Sequence, residues 1–224
     1  MKDGFVFLDE AVPGIRWDAK YATWDNFTGK PVDGYLANRV VGSPALAKSL
    51  RKAQALAAKM GYGLLLWDAY RPQRAVNAFL RWAEAPETGL TKAKFYPRMT
   101  RGELIQKGYI APKSSHSSGR AVDLTLFRLD SGLLVPMGGH FDYMDTRSHH
   151  GAAGVPPEAV SGRETLRFIM EKSGFQALPN EWWHYSLPSL RSDVRYDFPI
   201  GGVSVGTQTV NTVSPSPLSA EMDP

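Results

Sequence analysis

Five histidines occur in this 224-residue chain, and two of them sit where chemistry could be built. The first lies in Ser114-Ser115-His116-Ser117-Ser118-Gly119-Arg120-Ala121-Val122-Asp123. A loop of small residues presents His116. The alternation that follows turns Asp123 and Thr125 away from the apolar face of Val122, Leu124 and Leu126. An aspartate in such a strand is costly unless it is paired or faces a cation. A surface strand with a solvated Asp and an incidental loop histidine explains the segment equally well. The second setting is Glu181-Trp182-Trp183-His184-Tyr185, an acid and a histidine three apart among aromatics. It would place a base and a ligand in a dry pocket, and the competing reading is a core histidine packed among tryptophans. On a regular strand, positions three apart oppose one another, so Glu181 must then lie in the turn that enters the strand.

Together His116, Asp123 and His184 can fill three positions of a tetrahedral zinc site, and an open fourth position marks a catalytic rather than a structural metal. One zinc per chain is expected. Zinc lowers the pKa of its bound water from about 15.7 to about 7, and Glu181 is then the natural proton acceptor and later donor. The chain has no cysteine, so a tightly held metal must use His and carboxylate. His149 and His150 follow Ser148 without a spaced carboxylate and read as polar loop residues.

These residues need elements to hold them. Ser43-Pro44 marks a helix start. Leu46, Leu50, Ala53, Ala57 and Met60 then recur at helical spacing until Gly61. Gly63 to Trp67 reads as a buried strand and Asp68 to Arg71 as a short connection. Pro72 opens a second helix carrying Val76, Phe79, Leu80 and Ala83. Thr100 and Glu103 form a capping-box pair for a short helix over 101–107. Ala121 to Phe127 is a strand, Glu158 to Lys172 a third long helix, and Trp182 to Leu187 a further strand. The mixture lacks βαβ repetition, which predicts a single α+β domain with an antiparallel-type central sheet packed against helices. Residues 1–200 form that domain. The stretch 201–224 is Gly, Ser, Thr, Val and Pro with little charge or period, and is expected to be a disordered tail.

Composition narrows the function. The net charge is +4, but Lys and Arg are scattered, so the dense basic footprint of a nucleic-acid binder is missing. No stretch approaches the roughly 20 apolar residues of a membrane span. The N-terminal run from Phe5 to Leu8 is too short for a signal peptide, so a cytoplasmic location is expected. Oligomeric state is left open.

The pattern Ser-x-His-x-x-Gly-x-Ala-x-Asp, with Glu-x-x-His far downstream, resembles the zinc D-Ala-D-Ala peptidases that share a fold with the Hedgehog signalling domain. The match narrows through Arg16-Trp17-Asp18-Ala19-Lys20-Tyr21, Tyr70-Arg71-Pro72, Asp142-Tyr143-Met144-Asp145 and Glu181-Trp182-Trp183-His184-Tyr185. These runs resemble the D-alanyl-D-alanine dipeptidases of glycopeptide-resistance clusters, the VanX family. The resemblance covers about residues 4–200. It implies zinc on His116, Asp123 and His184, Glu181 as acid and base, and Arg71 assisting the transition state. It also implies removal of the vancomycin-binding dipeptide while D-Ala-D-lactate is spared. Arg71 falls between strand and helix, where its fixed cation suits a developing oxyanion; a surface ion pair with Asp68 is the plainer alternative. A zwitterionic dipeptide substrate needs an acid for its ammonium, for which Asp142 is the candidate. It also needs donors for its carboxylate, for which Ser114, Ser115 and Tyr35 are candidates.

Three other functions compete. A carboxypeptidase acting on longer peptidoglycan peptides would have to be exported. A zinc module without catalysis has no need of Glu181 and Arg71. A non-haem iron oxygenase commonly spaces its His and acid two apart on one strand, unlike His116 and Asp123.

Overall fold

A computed structural model describes residues 2–188 and 194–201. The expected tail, Gly201 aside, lies outside the described residues. In chain order the elements are β1 (Val6–Phe7), α1 (Leu8–Ala11), β2 (Arg16–Trp17), β3 (Val41–Gly42), α2 (Pro44–Lys59), β4 (Tyr62–Asp68) and α3 (Gln73–Glu84). They continue with α4 (Lys92–Phe95), α5 (Arg101–Gln106), β5 (Ala121–Arg128), α6 (Pro157–Lys172), β6 (Gln176–Leu178) and β7 (Glu181–Ser186). The central sheet has the order β2-β4-β5-β7-β6. It is antiparallel except at its β2–β4 edge, which is parallel. A small β1–β3 ribbon lies apart from it. This is the α+β architecture that the periodicity predicts.

Local chemistry sets the helix boundaries. The Ser43 Oγ accepts from the Leu46 N–H at 3.1 Å, with Pro44 in the first turn of α2. Such a cap contributes about 1 kcal/mol. The reciprocal pair of Thr100 and Glu103 closes the start of α5. Pro72, expected to be the first helical residue, is the N-cap of α3, and the helix begins one position later at Gln73. On the inner face of α2, Leu46, Leu50, Ala53 and Ala57 are buried as the spacing predicts, and Gln54 joins them. Gln54 is tolerated because both ends of its amide are satisfied. Its Oε1 accepts from Leu64 N at 2.9 Å and its Nε2 donates to Gly14 O at 3.1 Å.

Strands β4 and β5 are the structural centre. Leu64 pairs with Leu126 and Leu66 with Leu124, all fully buried. Truncating any one of them to Ala would cost about 2–5 kcal/mol. A Cβ at Gly63 would lie 2.2 Å from the Phe127 ring, so only glycine lets β4 approach its neighbour there. One expectation changes in degree. Seven of the eight β5 residues, from Ala121 to Phe127, are buried, so Asp123 and Thr125 face a covered interior rather than solvent. Among the described residues no helix is long and apolar enough to cross a membrane.

Candidate active site

The sheet register aligns three chemical residues. Asp68 at the end of β4 pairs with Asp123 on β5, and Asp123 pairs with His184 on β7. A short 3₁₀ turn over His116–Ser118 brings the second histidine to them just before β5 begins. That turn closes at Gly119, which has φ +71°, and a Cβ there would lie 2.5 Å from the Phe5 ring. A left-handed residue in so close a space has to be glycine.

His116 Nε2 lies 3.0 Å from His184 Nδ1 and 3.3 Å from an Asp123 oxygen. The other Asp123 oxygen lies 2.9 Å from His184 Nδ1. One donor atom from each residue falls within 4.8 Å of the others, as a shared metal ion requires. His116 Nδ1 contacts Ala69 O at 2.6 Å, and donation there leaves the Nε2 lone pair facing the cluster. Such an outward hydrogen bond is how a metal-binding histidine is usually oriented. The far nitrogen of His184 is 3.3 Å from Ser115 Oγ. Two imidazole nitrogens and a carboxylate thus concentrate electron density at one point, and a divalent cation fits that donor set. Burial alone would raise the Asp123 carboxyl. The charge and hydrogen bonds of His116 and His184 outweigh it and hold the group well below the usual carboxylate range.

Arg71 follows β4 and folds back over the cluster. Its Nε and Nη2 both lie 2.9 Å from one Asp68 oxygen, and Nη2 is 3.4 Å from Asp123. The guanidinium lies 5.0 Å from the Tyr21 ring and 5.2 Å from the Phe79 ring. The pairing with Asp68 is real, but Arg71 is a cavity residue with 13% of its side chain exposed, not a surface one. Tyr35 requires a correction. Its hydroxyl donates to Asp68 at 2.7 Å, and it is not among the residues lining the cavity. It holds Asp68, which holds Arg71, and its donor is not free for a substrate.

Asp142 and Glu181 face the same cavity. Asp142 is the one non-glycine residue with positive φ (57°) among those described, a conformation that Asp tolerates better than most residues. The Tyr21 hydroxyl donates to it at 2.8 Å. Burial first, then the charge of Asp123, pushes the Asp142 carboxyl well above its usual range. Glu181 is the first residue of β7, following a turn, so it sits one position inside the strand rather than in the turn itself. Its carboxylate is 4.0 Å from His184 Nδ1. Burial raises it to about 7, with Asp123 adding to the shift and His184 and Arg71 opposing it.

The cavity that these groups share measures about 180 Å³, and the walls include Tyr21, Phe79, Tyr109 and Trp183. Ser114 and Ser115 line it as expected, and Ser114 Oγ also accepts from His116 N at 3.3 Å. Sequence reasoning missed Tyr21 and Tyr109 as cavity residues and gave Asp68 only as a possible partner of Arg71. An acid closing the apolar run Leu64-Leu65-Leu66-Trp67 was a visible signal for Asp68. Tyr21 and Tyr109 carry no local pattern that announces them.

The chain is similar to several known proteins that carry one description. The family described as D-ala-D-ala dipeptidase matches residues 1–200. A D-alanyl-D-alanine dipeptidase from Enterococcus faecium is 62% identical over 201 residues, covering 89% of this chain and 100% of that protein. One from Streptomyces coelicolor is 56% identical over 201 residues with the same coverage. One from Escherichia coli is 36% identical over 194 residues, 86% of this chain and 90% of that protein.

Proposed function

This chain belongs to the D-ala-D-ala dipeptidase family of metallopeptidases, and from that premise we propose that it hydrolyses free D-Ala-D-Ala to two D-alanines with one zinc ion per chain. The observation that carries the reading is the convergence of His116, Asp123 and His184 beside Glu181 and Arg71 in one small cavity. His116, Asp123 and His184 hold the metal, whose bound form supplies a Lewis acid that polarises the scissile carbonyl and acidifies water.

The chain's own groups do the rest. Glu181, poised near neutrality, accepts the proton of the attacking water and later delivers it to the departing amine nitrogen. Arg71, fixed by Asp68, sets a permanent cation against the charge that develops on the carbonyl oxygen. Asp142 receives the substrate ammonium, a cation that offsets the cost of ionising a buried carboxyl. Ser114 donates to the substrate carboxylate. Cavity size bears on substrate length: about 180 Å³ lies below the roughly 300–1,000 Å³ of pockets for drug-sized ligands. That favours a dipeptide over the longer peptides of a carboxypeptidase.

The test is hydrolysis of D-Ala-D-Ala, L-Ala-L-Ala and an N-blocked tripeptide by purified protein, with and without chelator. Turnover of the D,D-dipeptide alone, abolished by chelator and restored by zinc, is the expected result. Equal turnover of the tripeptide would favour the carboxypeptidase reading.

A further inference from the structure

A zwitterionic dipeptide brings two charges into the cavity, and each needs a partner there. Asp142 meets the ammonium. Of the carboxylate donors expected from sequence, Tyr35 is committed to Asp68. Ser115 accepts from the far nitrogen of His184 and Ser114 from His116 N, which leaves both O–H donors available, but both are neutral hydroxyls.

The cations lining the cavity are Arg71, Lys113, His116 and His184. Arg71 is held by Asp68 and Asp123, and both histidines belong to the metal cluster. Lys113 differs from all three. It is exposed, it directly precedes Ser114, and it has no hydrogen bond or ion pair with any described residue. Every other charged side chain of the cavity lies within ion-pair distance of a neighbour or is buried against a hydroxyl. A free ammonium on a flexible stem at the rim is suited to meet an anion that arrives from solvent.

We propose that Lys113 is a specificity-determining residue that binds the C-terminal carboxylate of the dipeptide, alongside the Ser114 hydroxyl. The assignment rests on the dipeptidase reading and deepens it. It places the two charges of the substrate on Asp142 and Lys113, with the scissile amide between them over the metal cluster. The residue takes no part in the chemical step. Because Lys113 is exposed, its contribution is that of a solvent-screened ion pair, up to about fivefold in affinity, and it weakens as salt is added.

The experiment measures kcat and KM for free D-Ala-D-Ala with wild type, Lys113→Arg, Lys113→Ala and Lys113→Glu at low and high salt. D-Ala-D-Ala amide, which lacks the carboxylate, is measured as a competing ligand, so it need not be cleaved. The Ala variant is expected to raise KM by up to about fivefold at nearly constant kcat. Glu should raise it further, Arg should restore it, and the differences should shrink at high salt. Affinity for the amide should be the same in wild type and the Ala variant. An unchanged KM in the Ala and Glu variants, or an equal loss for dipeptide and amide, would overturn the assignment. Failure of wild type to cleave the dipeptide at all would instead overturn the dipeptidase reading itself.

Discussion

Two pairs of histidines in this chain contrast sharply. His116 and His184 come from distant segments, yet their nitrogens stand 3.0 Å apart, because β5 and β7 are hydrogen-bonded neighbours with Asp123 opposite His184. His149 and His150 are consecutive, and they diverge. His149 has extended backbone (φ −66°, ψ 146°), and its Nε2 is 3.1 Å from the Tyr109 hydroxyl. His150 Nε2 is buried without a hydrogen-bond partner, and the charges acting on it include Arg167 and Arg163, which would repel a cation. The proposed ligand set is therefore a product of sheet register. Adjacency in sequence does not make one, since neighbouring side chains on an extended backbone point apart.

The strongest way to break this contrast is to remove each histidine in turn. His116→Ala and His184→Ala should each abolish activity and bound metal together, measured by metal analysis of the purified protein. His149→Ala and His150→Ala should keep a full equivalent of metal. Full metal in either of the first two variants, or its loss in either of the second two, would reverse the assignment. Next in size are the groups that face the first pair without belonging to it. Glu181→Gln should lower kcat by about 10²–10⁴ while metal content stays whole. Arg71→Ala should lower kcat by about 10²–10³ with a smaller change in KM, as for loss of an oxyanion donor. A normal kcat with a raised KM would move Arg71 to ground-state binding.

The smallest effect concerns the second pair and is one of stability. His150 is held neutral by burial and by Arg167 and Arg163, which lower its pKa to about 4. In an unfolded chain it would protonate near about 6.5. The unfolded state thus binds more protons between these values. Stability linked to the neutral ring is fully present above about pH 6.5 and is lost as pH falls toward about 4. His150→Gln should flatten that part of the Tm-against-pH curve, whereas an unchanged slope would remove His150 from the account.

The sequence made some of this legible and hid the rest for physical reasons. The caps at Ser43 and Thr100 and the runs of β4 and β5 are local signals, and they mark their elements within a residue or two. The sequence patterns around His116, Asp123, Glu181 and His184 also stood out, because polar groups in apolar segments need a reason to be there. Strand β2, two residues long, carries no period, so its parallel pairing with β4 was invisible. Tyr35 shows a different limit. Its residue type suits a substrate donor, yet only tertiary structure reveals that its hydroxyl is spent on Asp68. Lys113 gave no sequence signal either, because a lone surface lysine acquires meaning only from the cavity beside it.

The central claim is that the cavity admits a free dipeptide by pairing its ammonium with the buried Asp142. The most direct measurement compares kcat/KM for D-Ala-D-Ala and N-acetyl-D-Ala-D-Ala on the wild-type enzyme. Acetylation removes the cation, so the buried acid stays protonated and a charge-assisted hydrogen bond of about 1.5–3 kcal/mol is lost, and kcat/KM should fall by at least about tenfold. Comparable values for the two substrates would contradict the account.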